Sequence, residues 1–219
     1  RDIWPESLVY LSGLKRGGFV YTILKKIERY LITQSNGVVS TVHNFEAYLE
    51  KEKLQCKNYL HIPQMTDSYT NQRSDLKKGY VYIGSAKKNQ SIIEIIETFN
   101  EFNSYHNYGL FLDLYIDGEE KSKIHNLITK NNYTRINLKQ HIKNRGTLIK
   151  ILSNYKYGLT NFPDIELYNY GISFNKLIDY VSANVLPIMP FPKFLDEALR
   201  EVSISSNDNL LDSLKLSVS

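Results

Sequence analysis

Three short segments carry residue types suited to binding a phosphorylated ligand. The first, Tyr80-Val81-Tyr82-Ile83-Gly84-Ser85-Ala86-Lys87-Lys88-Asn89-Gln90, joins an apolar run to a glycine turn, two lysines and a helical pattern. Free N–H groups at a helix start, with ammonium groups beside them, could cradle a diphosphate. The same pattern also fits an ordinary βα turn with solvated lysines, because it is neither a P-loop nor a full G-x-G-x-x-G. The second segment, Leu112 to Asp117-Gly118-Glu119, closes a strand-like run in a tight turn that reads equally well as structural. The third, Tyr170 to Tyr180, leads a Gly-Ser stretch into a helix, with Lys176 in the first turn and Asp179 one turn on. A cation and a carboxylate on one helix face could hold a phosphate and a ribose diol, or form a weak surface ion pair.

Composition narrows the partners. The 219 residues carry a net charge of +4, too little to argue for nucleic acid but compatible with anionic small molecules and anionic lipid surfaces. Five histidines are scattered without ligand-like spacing, so a zinc site is not expected. Cys56, the lone cysteine, has no internal disulfide partner and suits a reducing compartment, hence a cytoplasmic placement. No apolar run approaches the roughly 20 residues that span a bilayer.

The elements that must position these segments alternate. Helical periodicity is expected over 19–34, 44–53, 90–102, 119–129, 146–153, 175–182, 193–200 and 209–214. Strands are expected over 37–41, 59–62, 80–83, 110–116, 134–138, 158–161 and 185–188. Such alternation predicts an α/β architecture with parallel sheets covered by helices. The polar, aperiodic stretch 64–78 reads as a linker, dividing residues 1–76 from residues 77–219. In the helix over 19–34, Phe19, Ile23, Ile27, Tyr30 and Leu31 share a stripe with Lys25, Lys26 and Arg29 around it. That fits a helix lying at a membrane surface, or an ordinary domain helix with a solvated basic face.

Taken together and in order, these segments resemble glycosyltransferase family 4, especially its bacterial members of surface-polysaccharide synthesis. Arg1-Asp2-Ile3-Trp4-Pro5-Glu6-Ser7 resembles R-D-x-W-P-E-S, and Leu14-Lys15-Arg16-Gly17 with Glu28-Arg29 continues the pattern. Tyr82-Ile83-Gly84-Ser85 is similar to Y-x-G-S/N, and Ile116-Asp117-Gly118-Glu119 to G-D-G-x-E. Tyr170-Gly171-Ile172-Ser173-Phe174-Asn175-Lys176-Leu177-Ile178-Asp179-Tyr180 resembles Y-G-I-S-P-N-K-L-F-D-Y. The resemblance implies a GT-B fold, with a partial N-terminal Rossmann-like domain and a nearly complete donor domain in an N-terminally truncated chain. It implies a retaining transferase moving a hexose or N-acetylhexosamine from a nucleotide-diphosphate donor to a saccharide or lipid-linked acceptor, without bound metal. Helix dipoles and cations would then neutralise the leaving diphosphate. By the same resemblance Gly84, Ser85, Lys88, Gln90, Ser173, Asn175, Lys176 and Asp179 would bind the donor. Arg1, Asp2 and Glu6 would lie on the acceptor side, and no catalytic residue is singled out. Asp179 takes the place of the second glutamate of the family's E-x7-E element, while Gly171 stands where the first would be. That departure, with Lys87 and Phe174, motivates an alternative: a degenerate, non-catalytic relative.

Overall fold

The computed structural model describes residues 3–64, 78–86, 91–106 and 109–218. Its elements are α1 (Glu6–Ser12), α2 (Phe19–Gln34), β1 (Val38–Ser40), α3 (Phe45–Lys51), β2 (Tyr59–His61) and β3 (Lys78–Ser85), followed by α4 (Ile92–His106). Then come β4 (Leu112–Asp117), α5 (Lys121–Lys130), β5 (Ile136–Lys139), α6 (Arg145–Leu152), β6 (Tyr155–Leu159) and α7 (Asn175–Ser182). β7 (Leu186–Pro190), α8 (Glu197–Glu201), β8 (Ile204–Ser206) and α9 (Leu210–Leu216) end the series. The chain forms two compact units: one from the first 65 residues with 164–173 and 193–196, the other from the remainder. The stretch 65–77, where the linker is expected, lies outside the described residues.

The larger unit is built on a six-stranded, wholly parallel sheet in the order β5-β4-β3-β6-β7-β8. Period decides which faces are buried. Ile92, Ile95, Ile96, Phe99 and Phe102 recur at helical spacing along α4 and are at most 4% exposed. Leu112, Leu114 and Ile116 alternate along β4 and join them in one core with Tyr80, Tyr82 and Leu214. Two asparagines cap helices as their chemistry favours. Asn144 accepts from the Thr147 N–H at the start of α6, and Asn209 from the Asp212 N–H at the start of α9, each at 2.9 Å.

The smaller unit pairs β1 with β2 in parallel and packs Ile3, Val42, Tyr48, Leu49, Leu54, Leu167 and Tyr170 together. Its helix α2 is inverted relative to ordinary amphipathicity: Glu28 is its buried residue, while Phe19 is 82% and Tyr30 65% exposed. Its polar face is engaged instead. Lys25 reaches Glu28 at 2.7 Å and Glu52 at 2.8 Å, and Arg29 donates to the carbonyls of Glu52 and Lys53. Of the expected solvated basic face, Lys25 is thus drawn into packing, while Lys26 and Arg29 stay exposed.

Elsewhere two expected elements change their bounds. β6 begins at Tyr155, not at Gly158. Gly158 lies within it because the Tyr180 ring rests on its Cα; an added Cβ would sit 2.6 Å from that ring. The expected helix over 193–200 breaks into a 3-10 turn at Pro192–Phe194 and the short α8. Phe191, with φ of 57°, turns the chain there. The short α1 and β8 were not expected, their apolar patterns being too brief to carry a period.

Candidate functional site

Within the larger unit, β3 ends at Gly84 and Ser85, and the start of α7 supplies Asn175, Lys176 and Asp179. Gly84 has φ of 151°, a conformation that side chains rarely adopt, and a Cβ there would lie 3.3 Å from the Lys176 Nζ and 3.2 Å from the Tyr82 hydroxyl. Glycine thus lets the lysine reach the strand end. Lys176 donates to the Tyr82 hydroxyl at 2.9 Å, with its Nζ 4.4 Å from the Tyr82 ring centroid. Burial pushes the Lys176 amine down to about 7 and lifts the Tyr82 phenol. An ammonium held so close to neutrality gains most from an arriving anion.

One turn along α7, Asp179 accepts from Arg145 Nε at 3.0 Å. Burial raises the Asp179 carboxyl above its ordinary value, against the pull of Arg145. Tyr180 fixes the helix to the sheet: the Ile83 N–H donates to its hydroxyl and that hydroxyl donates to the Leu159 carbonyl, both at 3.1 Å. At the end of β4, Gly118 has φ of 128° and its Cα packs on Ala86, whose N–H donates to the Asp117 carbonyl at 2.6 Å. The Asp117-Gly118 turn therefore braces the strand end after Ser85, a structural role.

These side chains sit at the carboxyl ends of parallel strands, where α/β sheets place ligands. Comparison with models of protein families gives no match, and comparison with curated protein sequences gives none either. Solved structures do match. The pneumococcal O-GlcNAc transferase GtfA, crystallised with UDP and GlcNAc, aligns at TM-score 0.63 and 19% identity over 89% of this chain and 39% of its own. TarM aligns at 0.66 and 14% over 90% and 39%, and WaaG, a glycosyltransferase involved in lipopolysaccharide biosynthesis, at 0.69 and 9% over 100% and 65%. The chain spans between about two fifths and two thirds of these neighbours. Its fold is that of GT-B glycosyltransferases.

The expected donor residues are therefore only partly gathered. Gly84, Ser85, Asn175, Lys176 and Asp179 belong to the larger unit, whereas Ser173 belongs to the smaller one and donates to Gln64 at 3.1 Å. Lys88 and Gln90 lie outside the described residues, as do Arg1 and Asp2. Glu6 is 4% exposed, and both its carboxylate oxygens are engaged: Oε2 by Arg16 at 2.6 Å, Oε1 by the Tyr21 hydroxyl at 2.5 Å. Gly171 has φ of 104°, and a Cβ on it would lie 2.4 Å from His43 Nδ1. The imidazole occupies the space that the first glutamate of the E-x7-E element would need. Tyr82, Arg145 and Tyr180 were not singled out as site residues. Tyr82 and Tyr180 carried a signal, as the first residue of the Y-x-G-S/N segment and the last of the third motif; Arg145 carried none.

Proposed function

We propose that the chain is part of a retaining glycosyltransferase of the family 4 kind and that its larger unit holds a nucleotide-diphosphate sugar. The Lys176 amine against Tyr82 and Gly84 carries this reading: a desolvated cation at a strand end is the complement of a diphosphate. The start of α7, whose N-cap Phe174 makes no side-chain cap hydrogen bond, brings the positive end of the helix dipole beside it. Asp179, oriented by Arg145, would take the ribose diol. Leaving-group charge would be met by Lys176 and the helix dipole, without a metal. The fold shared with GtfA and TarM, both crystallised with UDP, supports the donor class. We assign the transferred sugar to the hexoses or N-acetylhexosamines and the acceptor to saccharides or lipid-linked saccharides of cell-surface polymers. Isothermal titration with UDP-, GDP- and dTDP-sugars tests the reading. Binding of one donor supports it, and binding of none sinks it.

Two further readings have observations of their own. His43 closing the Gly171 position favours a non-catalytic relative that binds a donor without transferring it; detected sugar transfer to a lipid-linked acceptor would dispose of that idea. The exposed stripe Phe19, Ile23, Tyr30 and Leu31 on α2 favours peripheral contact with an anionic membrane on the cytoplasmic side. Among the described residues no helix is long and apolar enough to cross a membrane. Phe19→Ser with Tyr30→Ser should abolish flotation with anionic liposomes, and unchanged flotation removes the membrane role.

A further inference from the structure

Strands buried on both faces of a parallel sheet are ordinarily apolar on both. β4 and β5 break that rule on one face. Leu112, Leu114 and Ile116 point into the core with Ile136 and Leu138, leaving Asp113, Tyr115, Asn137 and Lys139 on the other side. Register sets them in pairs, Asp113 beside Asn137 and Tyr115 beside Lys139. Asp113, Asn137 and Lys139 line a cavity of about 340 Å³ together with Gly79, Phe111 and Tyr155. Gly79 and Tyr155 stand at the beginnings of β3 and β6 and Phe111 just before β4, whereas Gly84 and Ser85 stand at the end of β3. The cavity is therefore separate from the donor-binding end of the same unit.

Its chemistry is that of a built polar site. Asp113 is 6% exposed and accepts from Asn137 Nδ2 at 2.8 Å and from the Tyr155 hydroxyl at 2.5 Å, with Lys139 Nζ 3.7 Å away. Tyr155 and Tyr115 share a hydroxyl contact at 3.0 Å. A carboxylate accepts about four hydrogen bonds, and Asn137 keeps its carbonyl oxygen and a second N–H donor. Donors and acceptors thus alternate along one wall. Charge is balanced between Asp113 and Lys139 on that wall. At the rim Phe111 is 47% exposed, with the Arg135 guanidinium 4.6 Å from its ring centroid. The volume lies at the small end of ligand pockets, which span about 300–1,000 Å³.

We propose that this cavity binds one neutral pyranose unit of an oligosaccharide, its hydroxyls on Asp113, Asn137 and Lys139 and its C–H face on Phe111. Hydroxyls that both donate and accept match the alternating wall, and a pyranose ring has the size and the apolar face that the cavity and rim require. The inference does not rest on the donor reading, and the test separates them. Ligand-observed NMR titration of the chain with maltotriose and with chitotriose, each in saturating UDP, should show binding of at least one. Phe111→Ala and Lys139→Gln, both at half-exposed positions, should each weaken it about fivefold or more. Lys176→Met should leave it unchanged. Absence of binding by both trisaccharides overturns the proposal, as does binding indifferent to Phe111 and Lys139 or lost in Lys176→Met. If UDP fails to bind while a trisaccharide binds through Phe111, the saccharide site stands and the donor reading falls.

Discussion

Each unit of the molecule shelters a lysine amine, and the two are treated in opposite ways. Lys25 in the smaller unit meets Glu28 and Glu52 and donates to Tyr48, whose hydroxyl in turn donates to Glu28 at 2.6 Å. Burial pulls its amine down, but the hydrogen bonds to the two glutamates outweigh that and leave its pKa above the ordinary value. Lys176 in the larger unit rests on a phenol, and burial takes its amine to about 7. One cation is held charged by the carboxylates around it; burial makes the other costly to keep charged. A saturated charge stabilises structure, whereas a desolvated amine beside a glycine turn is poised for an anion.

The comparison breaks most visibly if Lys25 is removed. Lys25→Met strands Glu28, 5% exposed, in an uncompensated network and should cost about 3–5 kcal/mol in urea denaturation. Lys176→Met should cost clearly less, about 1–2 kcal/mol, since relief of a desolvated amine offsets part of the hydrogen bond lost by the buried Tyr82 hydroxyl. Equal losses from both substitutions would erase the distinction.

Next in size is the closed carboxylate position. Gly171→Glu meets the His43 ring and a φ of 104°, and should destabilise the chain by roughly 2–4 kcal/mol without improving donor binding. A variant that melts like the parent and binds donor more tightly would show that the imidazole yields. Arg145→Ala sharpens the donor end more gently. Its guanidinium is half exposed, so about 0.2–1 kcal/mol in thermal unfolding is expected, with the Asp179 carboxyl titrating still higher by NMR.

Much of this contrast was invisible in the chain, for physical reasons. The parallel sheet was legible because Tyr80 to Ile83 and Leu110 to Ile116 are apolar runs bounded by glycine turns, separated by helical periods. Lys176 was legible as a cation in a helix start. Its contact with Tyr82 was not, because the two meet only through tertiary folding across 94 positions. Lys25 and Arg29 looked like a solvated or lipid-facing surface, since periodicity shows that two faces differ but not which one the fold covers. The Asp113 wall was unreadable too: Leu112-Asp113-Leu114-Tyr115 alternates like a half-exposed strand, and only the register with Asn137 and Lys139 reveals a site.

The most direct test is calorimetric titration of wild type and Lys176→Met with the nucleotide sugar that binds, at about pH 6.5 and about pH 8.5. A nucleotide-sugar diphosphate does not itself titrate there, so any change belongs to the protein. Since the free amine titrates near 7, below the 10.5 of an ordinary lysine, an anion that prefers the ammonium must bind less tightly as pH rises above about 7. The account predicts affinity falling by up to about tenfold per pH unit above 7 in the wild type, with Lys176→Met weak and flat across the range. Binding of equal strength in both proteins, or unchanged between the two pH values, would contradict it.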